Sequence, residues 1–309
     1  MTRITSHYGI TRSVEFVDLH IHKDNLLFLD PKAIREQGSS TKFVQDANRA
    51  TVTFFDEVAR CRLSPRATDR VRGEQLLQNF HEPRDTRLGM SRSGWSGHGA
   101  AESLGSDIWH QLVALPEMFF RVAILKFIED VPVFVHGIGD DITSDMTTRI
   151  VYSALARFTS KMLVQHPEFS ASPHVIRNFE RLVWDPARLS WRTTVVALPV
   201  AQGGALLLIP RDWVRRSMLM NSGRFYDRPL LDYVQQETAT VDQRTNRILK
   251  TPKYALRNRS DLQRGVPTVI AQSKRAFGRD ETNLMELFRQ MVSAEYEPLE
   301  NDELDGYIG

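Results

Sequence analysis

FERLVWDPARLSWRTTVVALPVAQGGALLLIPR, residues 179–211, decides the fold class. It holds three runs rich in Val, Leu, Thr and Trp: FERLVWD (179–185), RTTVVALPV (192–200) and ALLLIPR (205–211). Short β-rich runs separated by turn residues predict consecutive antiparallel strands, the last two joined around Gly203–Gly204. Upstream the period changes. TKFVQDANRATVTFFDEVARCR (41–62) sets Phe43, Ala47, Ala50, Phe54, Val58 and Cys61 on one helical stripe. Further helices are expected over 69–80, 100–114, 116–128 with Pro116 in the first turn, 144–164, 230–239 and 283–292. VEFVDLHI (14–21) and LLFLDP (26–31) read as a hairpin across His22–Asn25, and VPVFVHG (131–137) as a buried strand. The expected fold is α+β: a single large domain with a helix-rich first half and an antiparallel strand-rich second half. Within it, 1–243 is expected as the α+β core domain, 244–294 as a basic helical segment packed on the core, and 295–309 as an acidic, frayed tail.

Composition narrows the class. The chain has 309 residues, 41% hydrophobic and 25% charged, which is enough for a full core and typical of a globular protein. No apolar run reaches the ~18 residues of a spanning helix, and no apolar stretch follows the N-terminus, so a cytoplasmic protein without membrane contact is expected. The lone Cys61 excludes an intrachain disulfide and a thiolate-rich zinc site, and its place on the apolar stripe makes it a core residue.

Charge is nearly balanced, at 40 Lys and Arg against 38 Asp and Glu, yet unevenly spread. Residues 244–279 carry ten basic side chains against Asp261 alone, and residues 280–309 carry nine acids against Arg289 alone. Cations in such excess supply sequence-independent attraction to phosphate, and an interleaved Tyr254 or Phe277 can stack on a base. Lys250, Lys253, Arg257 and Arg259 are the candidate nucleic-acid contacts. The alternative is a solvated basic surface, offset by the acidic tail.

Three other stretches could carry chemistry. SRSGWSGHG (91–99) is a glycine-rich loop before a helix, where backbone N–H groups and the helix N-terminus favour an anion. Arg92, Ser93, Gly94, Gly97 and Gly99 are its candidate phosphate contacts, although the spacing matches neither the Walker nor the dinucleotide pattern. In VHGIGDDITSDMTT (135–148), carboxylates cluster between a turn and a helix, and Asp141 and Asp145 are the candidate catalytic residues and magnesium ligands. A metal site there would need Asp140, Asp141 and Asp145 to converge with another acid, such as Asp30, Glu102 or Asp185. The plainer reading is a helix start, with Thr143 or Ser144 as cap and Asp145 complementing the macrodipole. Asp18-Leu19-His20-Ile21-His22 resembles the opening D-x-H-x-H of amidohydrolases and related metal hydrolases, which would pair His20 and His22 on a metal, with His136 as a further ligand. All nine His lie at or before His174, however, and no barrel alternation follows.

DNLLFLDPKAI (24–34), RLGMSRSGWSGHGAAESLG (87–105), VHGIGDDITSDMTTRIV (135–151) and ALLLIPRDWV (205–214) together resemble an uncharacterised family of bacterial proteins associated with mobile and defence loci. The resemblance spans about residues 24–235 and implies a bacterial, cytoplasmic, antiviral-defence setting, with no activity and no catalytic residue carried over. Relatives would be expected to carry a Glu-x-Lys element near Trp191, where this chain has Arg192-Thr193-Thr194. Three functions stay open: a magnesium-dependent phosphodiesterase or nuclease; a non-catalytic component binding nucleic acid or a protein partner from the same operon; and a His-metal hydrolase.

Overall fold

Thr41 starts the first long helix, its hydroxyl accepting a hydrogen bond from the Val44 amide. In the computed structural model, which describes residues 2–81, 83–89 and 98–308, the backbone packs as two compact units. Unit 1 comprises Met1–His110, Gly139–Leu219 and Glu297–Gly309; unit 2 comprises Gln111–Ile138 and Met220–Tyr296. The class is α+β, with helices mostly in the first half and antiparallel sheets in the second. Among the described residues no helix is long and apolar enough to cross a membrane.

Unit 1 holds the helices α1 (Pro31–Glu36), α2 (Lys42–Leu63), α3 (Ala67–Leu77), α4 (His98–Ala114) as far as His110, and α5 (Asp140–Gln165). Its strands are β1 (Phe28–Leu29), β2 (Ile176–Asp185), β3 (Ser190–Ala201), β4 (Gly204–Ala205) and β5 (Val214–Arg215). The Asp30 carboxylate caps α1 through the Lys32 and Ala33 amides and takes the Leu219 amide on its other oxygen at 2.7 Å. Helix α5 is the pillar: α2, β1, β2 and β3 all pack on it, and it buries Met146, Ile150, Leu155, Phe158 and Met162 completely. β2 and β3 form one long antiparallel ribbon extended by β4, in which Trp184 pairs with Trp191 across the strands. Both indoles meet Phe54 of α2 in edge-on contacts, and their N–H groups donate to the Thr53 hydroxyl and the Leu76 carbonyl. Cys61 is fully buried on α2, as its stripe implied, and burial pushes its thiol pKa up.

Several expectations are corrected. Residues 14–31 make no hairpin. The Asn25 side chain binds the backbone of His20, Lys23 and Arg87, leaving only isolated bridges, and β1 pairs with β5 instead. ALLLIPR is extended, yet only Gly204–Ala205 joins the ladder; Leu207 and Leu208 donate to the Asp85 carbonyl and the Thr159 hydroxyl.

In unit 2, VPVFVHG is no strand. Val131–Phe134 is a buried helical turn with Pro132 in its first positions, a place where the missing proline N–H costs nothing. A short apolar run that is buried all round has no period by which helix and strand can be told apart. The helix expected over 116–128 stops at Arg121, and Ala123 follows at φ 54°. The chain is held there by a buried pair: Asp130 takes the Lys126 and Phe127 amides at 2.8 Å and the Arg289 guanidinium at 2.6 Å. Unit 2 also contains the helices α6 (Leu231–Glu237), α7 (Val266–Asp280) and α8 (Leu284–Ala294) and the hairpin strands β6 (Thr240–Asp242) and β7 (Arg247–Leu249). The boundary expected after residue 243 falls in the turn of that hairpin. The tail belongs to unit 1 and is helical rather than frayed: α9 (Asn301–Ile308) buries Leu304 and Ile308.

His166 gives the core of unit 1 a pH dependence. His166 is 4% exposed, and its Nδ1 accepts a hydrogen bond from Arg12 Nε at 3.1 Å, which requires a neutral ring. Burial and then the Arg12 cation lower its pKa from the usual 6.5. Its contribution is therefore fully present above the unfolded value and is lost as pH falls through the folded one. Thermal melts should show stability falling as pH drops below about 6.5, and His166→Asn should flatten that fall; an unchanged profile in the variant would contradict the assignment.

Candidate functional site

Asp141, Asp145, Arg149 and Tyr152 follow one another at helical spacing in a stripe along one face of α5. His81 and residues 83–89 run along this stripe. The Asp85 carboxylate accepts the Tyr152 hydroxyl at 2.5 Å and the Arg181 guanidinium of β2 at 2.7 and 3.0 Å. Arg149 Nε donates to the His81 carbonyl at 2.6 Å. Gly89, at φ 106°, lies against Asp141; a Cβ there would be 2.7 Å from Asp141 Oδ1. Burial and the neighbouring Asp85 charge push the Tyr152 phenol far up, and burial lowers the pKa of Arg149. A phenol held as donor to a carboxylate is neither base nor nucleophile, so this cluster positions backbone rather than attacking a substrate.

The predicted magnesium ligands do not gather a cage. Asp141 and Asp145 lie one turn apart, but among the described residues no group of three or more His, Cys, Asp or Glu side chains could hold a metal ion. Asp30 caps α1, Asp185 binds Arg192 and the Ala187 and Arg188 amides, and Glu102 is exposed on α4. Asp141 and Asp145 thus gain no third ligand among the described residues. Helix α5 starts at Asp140 behind Gly139, so Thr143 and Ser144 do not cap it. The Thr143 hydroxyl donates to the Gly139 carbonyl, and the Ser144 hydroxyl accepts the Leu29 amide. Asp140 is half-buried, with its pKa raised by burial.

Of the phosphate-loop residues, Arg92, Ser93, Gly94 and Gly97 lie outside the described residues. Gly99 is in the first turn of α4. His20 is buried, with no hydrogen-bond partner for either ring nitrogen among the described residues, whereas His22 is exposed, so the two do not share a site. His136 is exposed, and its backbone is clasped by the Gln111 amide at both N–H and C=O.

The basic segment, within unit 2, divides sharply. Lys253 pairs with Asp232 at 2.6 Å, Arg257 with Asp227 at 2.9 Å and Arg259 with Asp261 at 2.7 Å. Arg264 also pairs with Asp227, and Arg275 and Arg279 clasp Glu237. Three of the four predicted contacts, Lys253, Arg257 and Arg259, are thus already matched by carboxylates. Arg244, Arg247, Lys250 and Lys274 are exposed and make no ion pair among the described residues.

A family model described as a domain of unknown function (DUF8370) matches residues 9–221. The chain belongs to the DUF8370 family. No curated protein and no solved structure matches it. The DUF8370 match takes in the whole α5 stripe, Asp85 and β2 to β5, and ends before the basic segment.

Sequence reasoning missed Asp85, Arg149, Tyr152 and Arg181 in the DUF8370 region. The spacing of Asp145, Arg149 and Tyr152 was a usable signal, since three polar groups on one face of a buried helix need partners. Asp85 had none, because its partners lie 67 and 96 residues away. Asp85→Ala is expected to lower unfolding free energy by about 3 kcal/mol, because it strands the Arg181 charge and the Tyr152 hydroxyl. Tyr152→Phe should cost about half as much and Asp141→Asn under ~1 kcal/mol. Denaturant melts check the order, and an Asp85→Ala protein as stable as wild type would contradict it.

Proposed function

We propose that this DUF8370 protein is a non-catalytic nucleic-acid-binding protein whose contact is made by Arg244, Arg247 and Lys250. The observation that carries this reading is the division of the basic segment: six cations are paired with four carboxylates within unit 2, while these three stand together, exposed and without an ion pair among the described residues, on and just after the β6–β7 hairpin. Unpaired surface cations attract phosphate and release its counterions, which gives affinity without sequence preference. Tyr254, 71% exposed, adds an aromatic face close by in the chain. The resemblance to proteins of mobile and defence loci supports a bacterial cytoplasmic setting. There a protein encoded in the same operon would supply any chemistry.

Magnesium-dependent hydrolysis is the second reading. Its support is the one-turn spacing of Asp141 and Asp145 and the tight approach of Gly89 to Asp141. It predicts cleavage of nucleic acid in Mg²⁺ that Asp141→Asn abolishes.

Two triple variants test the binding reading. Arg244→Ala with Arg247→Ala and Lys250→Ala should weaken binding and flatten the dependence of log affinity on log salt by about 3, one for each phosphate no longer neutralised. Lys253→Ala with Arg257→Ala and Arg259→Ala should leave that slope nearly unchanged and lower stability by about 1–2 kcal/mol in all, since exposed pairs contribute little each. Equal slopes for the two variants, or no binding by the wild type at about 50 mM salt, would overturn the reading.

A further inference from the structure

The β6–β7 ribbon has no buried face: from Thr240 to Lys250 every residue except the half-buried Asp242 is exposed. Val241 and Ile248 stand directly opposite each other across the strands, 56% and 66% exposed, and Leu249 beside them is 54% exposed. Single exposed aliphatics are ordinary on a protein surface, whereas a cross-strand pair on one face of a short ribbon, with Leu249 on the other face, is not.

The ribbon is nevertheless well built. Asp242 accepts the Arg244 and Thr245 amides and the Thr245 hydroxyl, and its carbonyl takes the Asn246 amide at 2.8 Å, with Asn246 at φ 52°. Its one carboxylate is held ionised by hydrogen bonds within its own turn, and with Arg244, Arg247 and Lys250 it leaves the ribbon with a surplus of positive charge. A preformed ribbon that is apolar at its centre and cationic around it matches one kind of surface, a polyanion with an apolar interior to be reached.

We propose that the ribbon enters a groove of double-stranded nucleic acid and wedges Val241 and Ile248 against the base stack, with the three cations on the flanking phosphates. The proposal rests on the nucleic-acid reading and adds the form of the ligand. A two-stranded ribbon fits the width of a duplex groove, and aliphatic side chains pressed into a base step partly unstack it and kink the helix. Single strands are gripped by aromatic faces, and Val, Ile and Leu have none. A protein strand added to the ribbon edge would leave the three cations without partners.

The test uses the full chain, a duplex of about 25 base pairs with a dye at each end, and a single strand of the same sequence. Binding is followed by anisotropy and bending by energy transfer between the dyes. Wild type should prefer the duplex and bend it by about 20–90°. Val241→Thr with Ile248→Thr keeps β-branching, and so the ribbon, while removing apolar surface. It should weaken duplex binding about tenfold and abolish the bend, with the salt slope and single-strand affinity unchanged. Full duplex affinity and bending in this variant would overturn the wedge and leave the binding reading standing. So would a wild-type preference for the single strand that Tyr254→Ala removes. No binding of either form by wild type would overturn both.

Discussion

One carboxylate, Asp85, ties unit 1 together, because it receives a phenol from α5 and a guanidinium from β2 while its own carbonyl takes the Leu207 amide. The helical pillar, the long ribbon and the extended stretch after β4 thus meet at one residue. Half-buried groups of this kind must be paired, and the pairing here is internally complete: the Arg181 charge offsets Asp85, and the Tyr152 proton is directed at it. The same completeness explains why the α5 stripe reads as architecture. Its best-placed donor and its best-placed acid are bound to each other. The Asp141 end of the stripe lies against Gly89, where the φ of 106° admits a glycine and strains any other residue.

In unit 2, charge pairing divides the basic segment. Asp227, Asp232 and Glu237 come from the chain before the basic segment, and with Asp261 these four carboxylates pair with six of its cations. Those pairs hold the segment in place. The cations beyond their reach are concentrated on a ribbon that has no core of its own, which is where a binding element can project without disturbing the fold. The Asp130–Arg289 pair, almost wholly buried, plays the corresponding structural part for residues 123–130 and α8.

How much of this was legible depended on burial. Helix α2 was readable because it is half-buried: a Thr41 cap, an apolar stripe and a polar face all agree. The β2–β3 ribbon was readable from its β-branched and aromatic runs, across which Trp184 and Trp191 meet. Val131–Phe134 was not readable, since a run buried on every side has no period. At the site level, the excess of cations in 244–279 was plain, but their division was hidden. Whether Lys253 or Lys250 is paired depends on where Asp232 comes to lie, and no local pattern encodes that. Asp141 and Asp145 share one helix, as their spacing implies, but the third ligand they needed was a matter of tertiary convergence that spacing could not supply.

The most direct measurement of the central claim is amide hydrogen exchange of the full chain with and without duplex nucleic acid, at low salt and again at high salt. Exchange should slow across 240–256, covering the ribbon, Lys250 and Tyr254, and the effect should disappear as salt is raised. Protection that spares this stretch and falls instead on 81–89 and 141–152 would contradict the account and return the binding surface to the α5 stripe.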